Sequence, residues 1–182
     1  MAIEAAVAIA SGIAAHSITL IAFGLDSVIE LASAGVLIWR LSQELRFGRE
    51  VADAAERIAR RIAGGLLFAL AAYVVVAAGW SLWRREGEAF SWPGLAIALL
   101  SIPIMLALAR RKLALADQFG SRALRADAAE SLACLWLSVI VVVGLVAQLA
   151  FGAWWIDPVT SLAIVWFLVK EGREAWETEE DD

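Results

Sequence analysis

Two carboxylates interrupt an otherwise apolar stretch of this chain. From Ile18 to Leu41 the sequence reads ITLIAFGLDSVIELASAGVLIWRL, with Asp26 and Glu30 near its middle. A helix that crosses a bilayer needs about 20 mostly apolar residues, so the stretch is long enough to span. An acid at the centre of such a helix costs about 2.5–3.5 kcal/mol on insertion scales, which makes it rare and functional by default. Four residues apart, the two side chains share one helical face. Like charges so placed in lipid repel unless protons or a cation neutralise them. The chemistry this spacing predicts is cation binding.

A second stretch supplies the partner. Ser17, Leu20, Ala22, Asp26, Ser27 and Glu30 align, 104 positions later, with Ser121, Leu124, Ala126, Glu130, Ser131 and Cys134. An acid matches an acid, and Glu30 falls opposite Cys134. The two stretches run in opposite directions across the membrane, so three spans per half predict inverted repeats. Transporters of that design place their sites near the midplane between the halves. Asp26, Glu30, Glu130 and Cys134 then form a four-cornered cluster, with Glu30 expected beside Glu130 and Asp26 level with Cys134. Carboxylate oxygens with a thiolate suit tetrahedral Zn²⁺, and oxygen-rich sites also take Mn²⁺ or Fe²⁺. Metal entry would displace the protons that neutralise the vacant cluster. Asp127 is a weaker member: Phe23 stands at its place in the repeat, and it lies close enough to Arg125 to pair with it or to snorkel.

The elements that must position these residues are all helical. The 182 residues are 62% hydrophobic with mean hydropathy +0.75, far above the roughly 45–50% apolar usage of soluble domains. Six apolar segments are expected, at 2–15, 18–41, 62–83, 91–110, 123–149 and 154–172. The fold class is therefore all-α, a polytopic membrane protein of six transmembrane helices in 3+3 pseudo-inverted halves. Residues 1–176 make the transport domain and 177–182 an acidic, disordered tail. Arg40, Arg46, Arg49, Arg57, Arg60, Arg61, Arg110, Arg111, Lys112, Arg122, Arg125, Lys170 and Arg173 fall on one side, against Arg84 and Arg85 on the other. The positive-inside rule places that side, and both termini, in the cytoplasm of an inner-membrane protein. Trp39, Trp80, Trp83, Trp92, Trp154, Trp155 and Trp176 sit near segment ends as interfacial anchors. The joint 42–61 is expected as an amphipathic helix lying on the membrane.

The remaining polar residues have blander readings. His16 is the only histidine and reads as interfacial rather than as a ligand. Asp157, just before Pro158, is expected to cap the sixth helix. Asp26 and Glu30 are alternatively protonated and bonded to Ser27 or Ser33. The single cysteine excludes an intrachain disulfide. Basic residues cluster at helix ends instead of forming a stripe, which argues against a nucleic-acid partner.

GLDSVIELAS resembles the second transmembrane helix of cation diffusion facilitator proteins, RALRADAAESLAC the fifth, and WWIDPVTSLAIVWFLVKEGREAW the sixth. The resemblance implies secondary-active efflux of a divalent cation, commonly zinc, by alternating access with proton exchange. By position Asp26 and Glu30 match the second-helix pair. Glu130 and Cys134 occupy the places where the family usually has His and Asp. Typical members continue into a cytoplasmic domain that supports dimerisation, whereas the sequence here ends soon after the sixth segment; a homodimer is an expectation from the family alone. The expected partners are the divalent metal ion, protons and the bilayer, with no permanent cofactor. Manganese, iron and cadmium are further cargoes the site chemistry admits. The competing functions are a non-transporting membrane metal sensor or assembly partner, and a passive cation channel.

Overall fold

The computed structural model describes the backbone of residues 1–47, 49–85, 89–119 and 122–177. Within its helices the side chains at 33, 37, 40–47, 49–60, 63, 119, 122–127, 129, 130 and 174–177 lie outside the described residues. Six helices follow one another: α1 (Ala2–Ala15), α2 (Ile18–Phe47), α3 (Arg49–Arg84), α4 (Trp92–Phe119), α5 (Arg122–Phe151) and α6 (Ile156–Glu177). The chain is all-helical in its described residues. The expected tail 177–182 falls outside them, apart from Glu177 at the end of α6.

Among the described residues, four segments are long and apolar enough to cross a membrane: Ile18–Val36, Gly64–Arg84, Trp92–Gln118 and Ser131–Phe151. The sequence suggested six. At about 1.5 Å per residue, the 14 residues of α1 reach only about 21 Å, short of the roughly 30 Å hydrocarbon core. Lys170, Glu171 and Arg173 interrupt the second half of α6. Exposed Val76, Ile104, Val143 and Phe151 give the helices an apolar outer surface, as a lipid environment demands.

One expectation is corrected. Residues 42–61 do not form a separate helix on the membrane surface; 42–47 continue α2 and 49–61 belong to α3. Nothing in those runs breaks a helix before Gly48, so both helices persist beyond their apolar parts. The 36 residues of α3 extend about 54 Å, well past the hydrocarbon core. The arginines of 42–61 therefore fall on these extensions of α2 and α3.

Local chemistry sets the other boundaries. The chain leaves α1 through His16 in the left-handed region, φ 58°, with the Ser17 amide donating to Gly12 O at 2.9 Å. His16 is exposed, in keeping with an interfacial role. Ser91 caps α4, its Oγ accepting from the Gly94 amide at 3.1 Å. Gly152, φ 59°, ends α5, and its amide donates to Gln148 O at 2.8 Å.

The packing pairs are α1 with α2 and α4 with α5, α2 with α3 and α5 with α6, and α1–α4, α2–α5 and α3–α6 across the middle. Each maps onto another, or onto itself, when the first three helices are exchanged for the last three. The α2–α6 contact has no such counterpart among these pairs. Phe23 and Leu20 from α2, Val74 from α3, Leu137 and Val141 from α5, and Ile164 and Leu168 from α6 fill the core. Backbones approach most closely where small residues meet, the usual device for joining helices in lipid. A Cβ on Gly24 would stand 2.6 Å from Ile9 Cγ1 and 2.9 Å from Ile9 N, so α1 rides directly on α2.

Gly24→Leu should therefore lower the thermal unfolding midpoint in detergent, by an overpacking cost of about 1–3 kcal/mol. Gly79→Leu, at a position where an added Cβ meets nothing within 4 Å, should leave the midpoint unchanged.

Candidate metal site

The site begins with what holds α2 in place. Ser17 caps the helix, its Oγ accepting from the Leu20 amide at 3.2 Å. The same hydroxyl donates to Asp157 Oδ1 at 2.5 Å. Asp157 Oδ2 accepts from the Ile18 and Thr19 amides at 3.0 and 3.3 Å, and Thr19 Oγ1 donates to the Asp157 carbonyl at 3.1 Å. The expected cap on α6 is thus a correction. Asp157 lies in the first turn of α6, but its carboxylate caps α2. The physical reason is demand: the Ile18 and Thr19 amides, orphan donors in the first turn of α2, are buried against this carboxylate and donate to it.

From that fixed end α2 carries its acids inward. Counting residues from Ile18, Asp26 lies about 12 Å and Glu30 about 18 Å along the axis. Asp26 is 1% exposed and Glu30 half-buried. One oxygen of each, Asp26 Oδ1 and Glu30 Oε2, is buried and accepts no hydrogen bond, although both residues make other polar interactions. Ser27 does not serve Asp26, because its hydroxyl donates to Phe23 O at 3.1 Å within the helix. Ser33 lies outside the described side chains.

Facing α2, α5 brings Cys134, a free thiol 1% exposed. The thiol is buried within hydrogen-bonding reach of the Glu30 carboxylate, and Glu4 and Asp26 belong to the same electrostatic surroundings. Of the two α2 acids, Glu30 is the one with a hydrogen bond to Cys134. The side chains of Glu130 and Asp127 lie outside the described residues, although their positions in α5 fall one and two turns before Cys134. Among the described residues, no three side chains of His, Cys, Asp or Glu converge closely enough to hold a metal ion. The pair Glu30–Cys134, with Asp26 one turn away, is the assembled part.

Sequence reasoning passed over Glu4. It is 4% exposed on α1, and Ser101 Oγ of α4 lies 2.6 Å from its Oε1. Its Oε2 lies 3.3 Å from the Met1 amine. Glu4 and Ser101 together line a cleft of about 310 Å³ between α1 and α4, walled by Ile97, Leu100, Ile104 and Met105. The signal was an acid inside AIEAAVAIASGIAA. In the first turn of a helix an acid satisfies the macrodipole and attracts no further notice. Nearer the polar extension, Lys112 Nζ of α4 donates to Ser131 Oγ of α5 at 2.9 Å, which ties the helix that bears Cys134 to its neighbour.

The model of one family, the cation efflux transmembrane domain, matches residues 1–178. No curated protein matches the chain.

Burial of the lone thiol makes a direct check of this geometry. In folded, detergent-solubilised protein, Cys134 should react with N-ethylmaleimide far more slowly than a cysteine placed at exposed Gly152. Denaturant should abolish the difference. Equal rates in the native state would place the thiol at the surface instead of against Glu30. Ser101→Ala, which leaves the Glu4 carboxylate without its hydroxyl partner, should lower stability by about 1–3 kcal/mol in the same preparation.

Proposed function

We propose that this chain, which belongs to the cation efflux transmembrane-domain family, exports a divalent metal ion in exchange for protons. Membership makes it a multi-pass membrane transporter of metal cations. No bond in such a cargo is made or broken, so its work is not that of an enzyme. The cargo, the counter-ion and the residues that hold them are our reading.

The observation that carries it is the contact between Glu30 and Cys134, made across two helices from opposite halves of the chain and beside buried Asp26. An oxygen ligand and a sulfur ligand facing each other suit Zn²⁺, with Mn²⁺, Fe²⁺ and Cd²⁺ as further cargoes. Glu130, one turn from Cys134, supplies the fourth ligand, and Asp127 stands as a reserve carboxylate on the same helix. Such a cluster cannot remain negatively charged in a low-dielectric setting without a positive partner. Protons take that part when the metal leaves, and incoming metal displaces them because thiolate and carboxylate bind it deprotonated. Metal and protons then occupy one site by turns, which is antiport. The remaining steps follow from the same assignment: alternating access between the halves, and arginine-rich ends and both termini on the cytoplasmic face of the inner membrane. A homodimer fits the family habit.

The test is zinc flux into proteoliposomes under an imposed pH gradient. An acidic interior should accelerate zinc uptake. Asp26→Asn and Glu30→Gln should each reduce uptake by about tenfold or more. Cys134→Ser should lose zinc and cadmium flux while it retains manganese flux. Uptake indifferent to the gradient would remove proton coupling, and equal flux in all variants would remove the site.

A further inference from the structure

We infer that the first turn of α6 is the positioning element of the transport site, with Asp157 as its central residue. This inference rests on the reading of Glu30 and Cys134 as metal ligands. Both ligand-bearing helices are joined to that one turn. On one side Asp157 binds the start of α2 through the Ser17 hydroxyl, the Ile18 and Thr19 amides and the Thr19 hydroxyl. On the other side α5 presses against Thr160. A Cβ added at Gly144 would meet Thr160 Cγ2 in hard overlap and lie 2.6 Å from its Oγ1. Thr160 itself cannot rotate freely, because its Oγ1 donates to Ile156 O at 2.8 Å. Asp157, Ser17 and Thr19 are all buried, so the joint has no water to replace a lost bond.

The lever arms are alike. Glu30 lies about 18 Å along α2 from its first residue, and Cys134 lies ten residues, about 15 Å, along α5 from Gly144. A tilt of about 5° at either anchor displaces a ligand by about 1.5 Å over such an arm. Metal–ligand distances tolerate only about 0.2 Å. The α2–α5 separation that brings Glu30 to Cys134 is therefore set at a turn that contributes no ligand. Asp157 supplies the carboxyl acceptor that fixes one arm, and Gly144 the close approach that fixes the other. The α2–α6 contact is among the helix pairs of the packing, in keeping with this joint. One half carries the anchor for both ligand helices.

The experiment uses the full chain in detergent, with zinc as the probe and two readouts, equilibrium zinc affinity per folded molecule and the alkylation rate of Cys134. Asp157→Asn keeps the shape and one accepting oxygen but replaces the other with an NH2 group that can only donate. The double variant Ser17→Ala/Thr19→Val keeps the carboxylate and removes both hydroxyl links, and it decides the matter if Asp157→Asn does not fold. His16→Asn, beside the joint but outside it, is the control. Each joint variant should weaken zinc binding by about tenfold, the scale seen when outer support of a metal ligand is lost. Each should also speed Cys134 alkylation, and the control should alter neither. A merely structural role would lower the yield of folded protein and leave affinity per folded molecule as in wild type, which overturns the inference. Wild-type alkylation rates in both joint variants overturn it as well. If Glu30→Gln leaves zinc affinity intact, the site reading fails on its own, and the alkylation readout still decides whether the joint sets the α2–α5 spacing.

Discussion

A carboxylate held where water does not reach is the constraint around which this molecule is arranged. Asp26 is 1% exposed in the apolar part of α2, and Glu4 is 4% exposed on the helix beside it. Removing an ion from water costs far more than any single packing contact returns, so such groups persist only where partners or a specific occupant are provided. The protein answers in two ways. Glu4 and Asp157 receive hydroxyl donors, at 2.6 Å from Ser101 and 2.5 Å from Ser17. Asp26 and Glu30 each keep one buried oxygen out of any hydrogen bond and share the electrostatic environment of Cys134. Serine hydroxyls thus tie Glu4 and Asp157 to neighbouring helices, whereas Asp26 and Glu30 lie in the surroundings of the buried thiol.

That division links sequence to function through the termini of helices. Ser17 ends one helical hairpin and begins α2, and its hydroxyl accepts from Leu20 while it donates to Asp157. One residue thus couples a local capping rule to a contact 140 positions away. Small residues do the rest. Gly24 lets α1 lie on α2, which keeps Glu4 close to the site, and Gly144 lets α5 lie on α6. Under the proposed site, its ligands are held in register by groups that never touch the cargo.

Hydropathy and the spacing of Asp26 and Glu30 made the helical class and the burial of two acids on one helix legible, because a 20-residue apolar run and an i,i+4 pair are local patterns. The internal repeat also brought Cys134 into view, and the thiol does meet an acid of α2. Its exact partner was not readable. Which of two acids one turn apart faces α5 depends on how the helices rotate about their axes, and rotation is set by packing at Gly24, Gly144 and Thr160. Asp157 misled for a similar reason. An Asp before Pro at a helix start reads as a local cap, and only tertiary structure shows that α2 takes the carboxylate instead. The joint 42–61 was misread because amphipathicity reports a polar face without saying whether that face lies along a membrane or extends beyond it.

The central claim is that one metal ion is shared by oxygen ligands of α2 and the sulfur of α5. X-ray absorption spectroscopy of the zinc-loaded protein tests it most directly. The account predicts one sulfur scatterer at about 2.3 Å among oxygens at about 2.0–2.2 Å, with the sulfur shell lost in Cys134→Ser. A zinc ion bound by oxygen and nitrogen alone in the wild-type protein would contradict it.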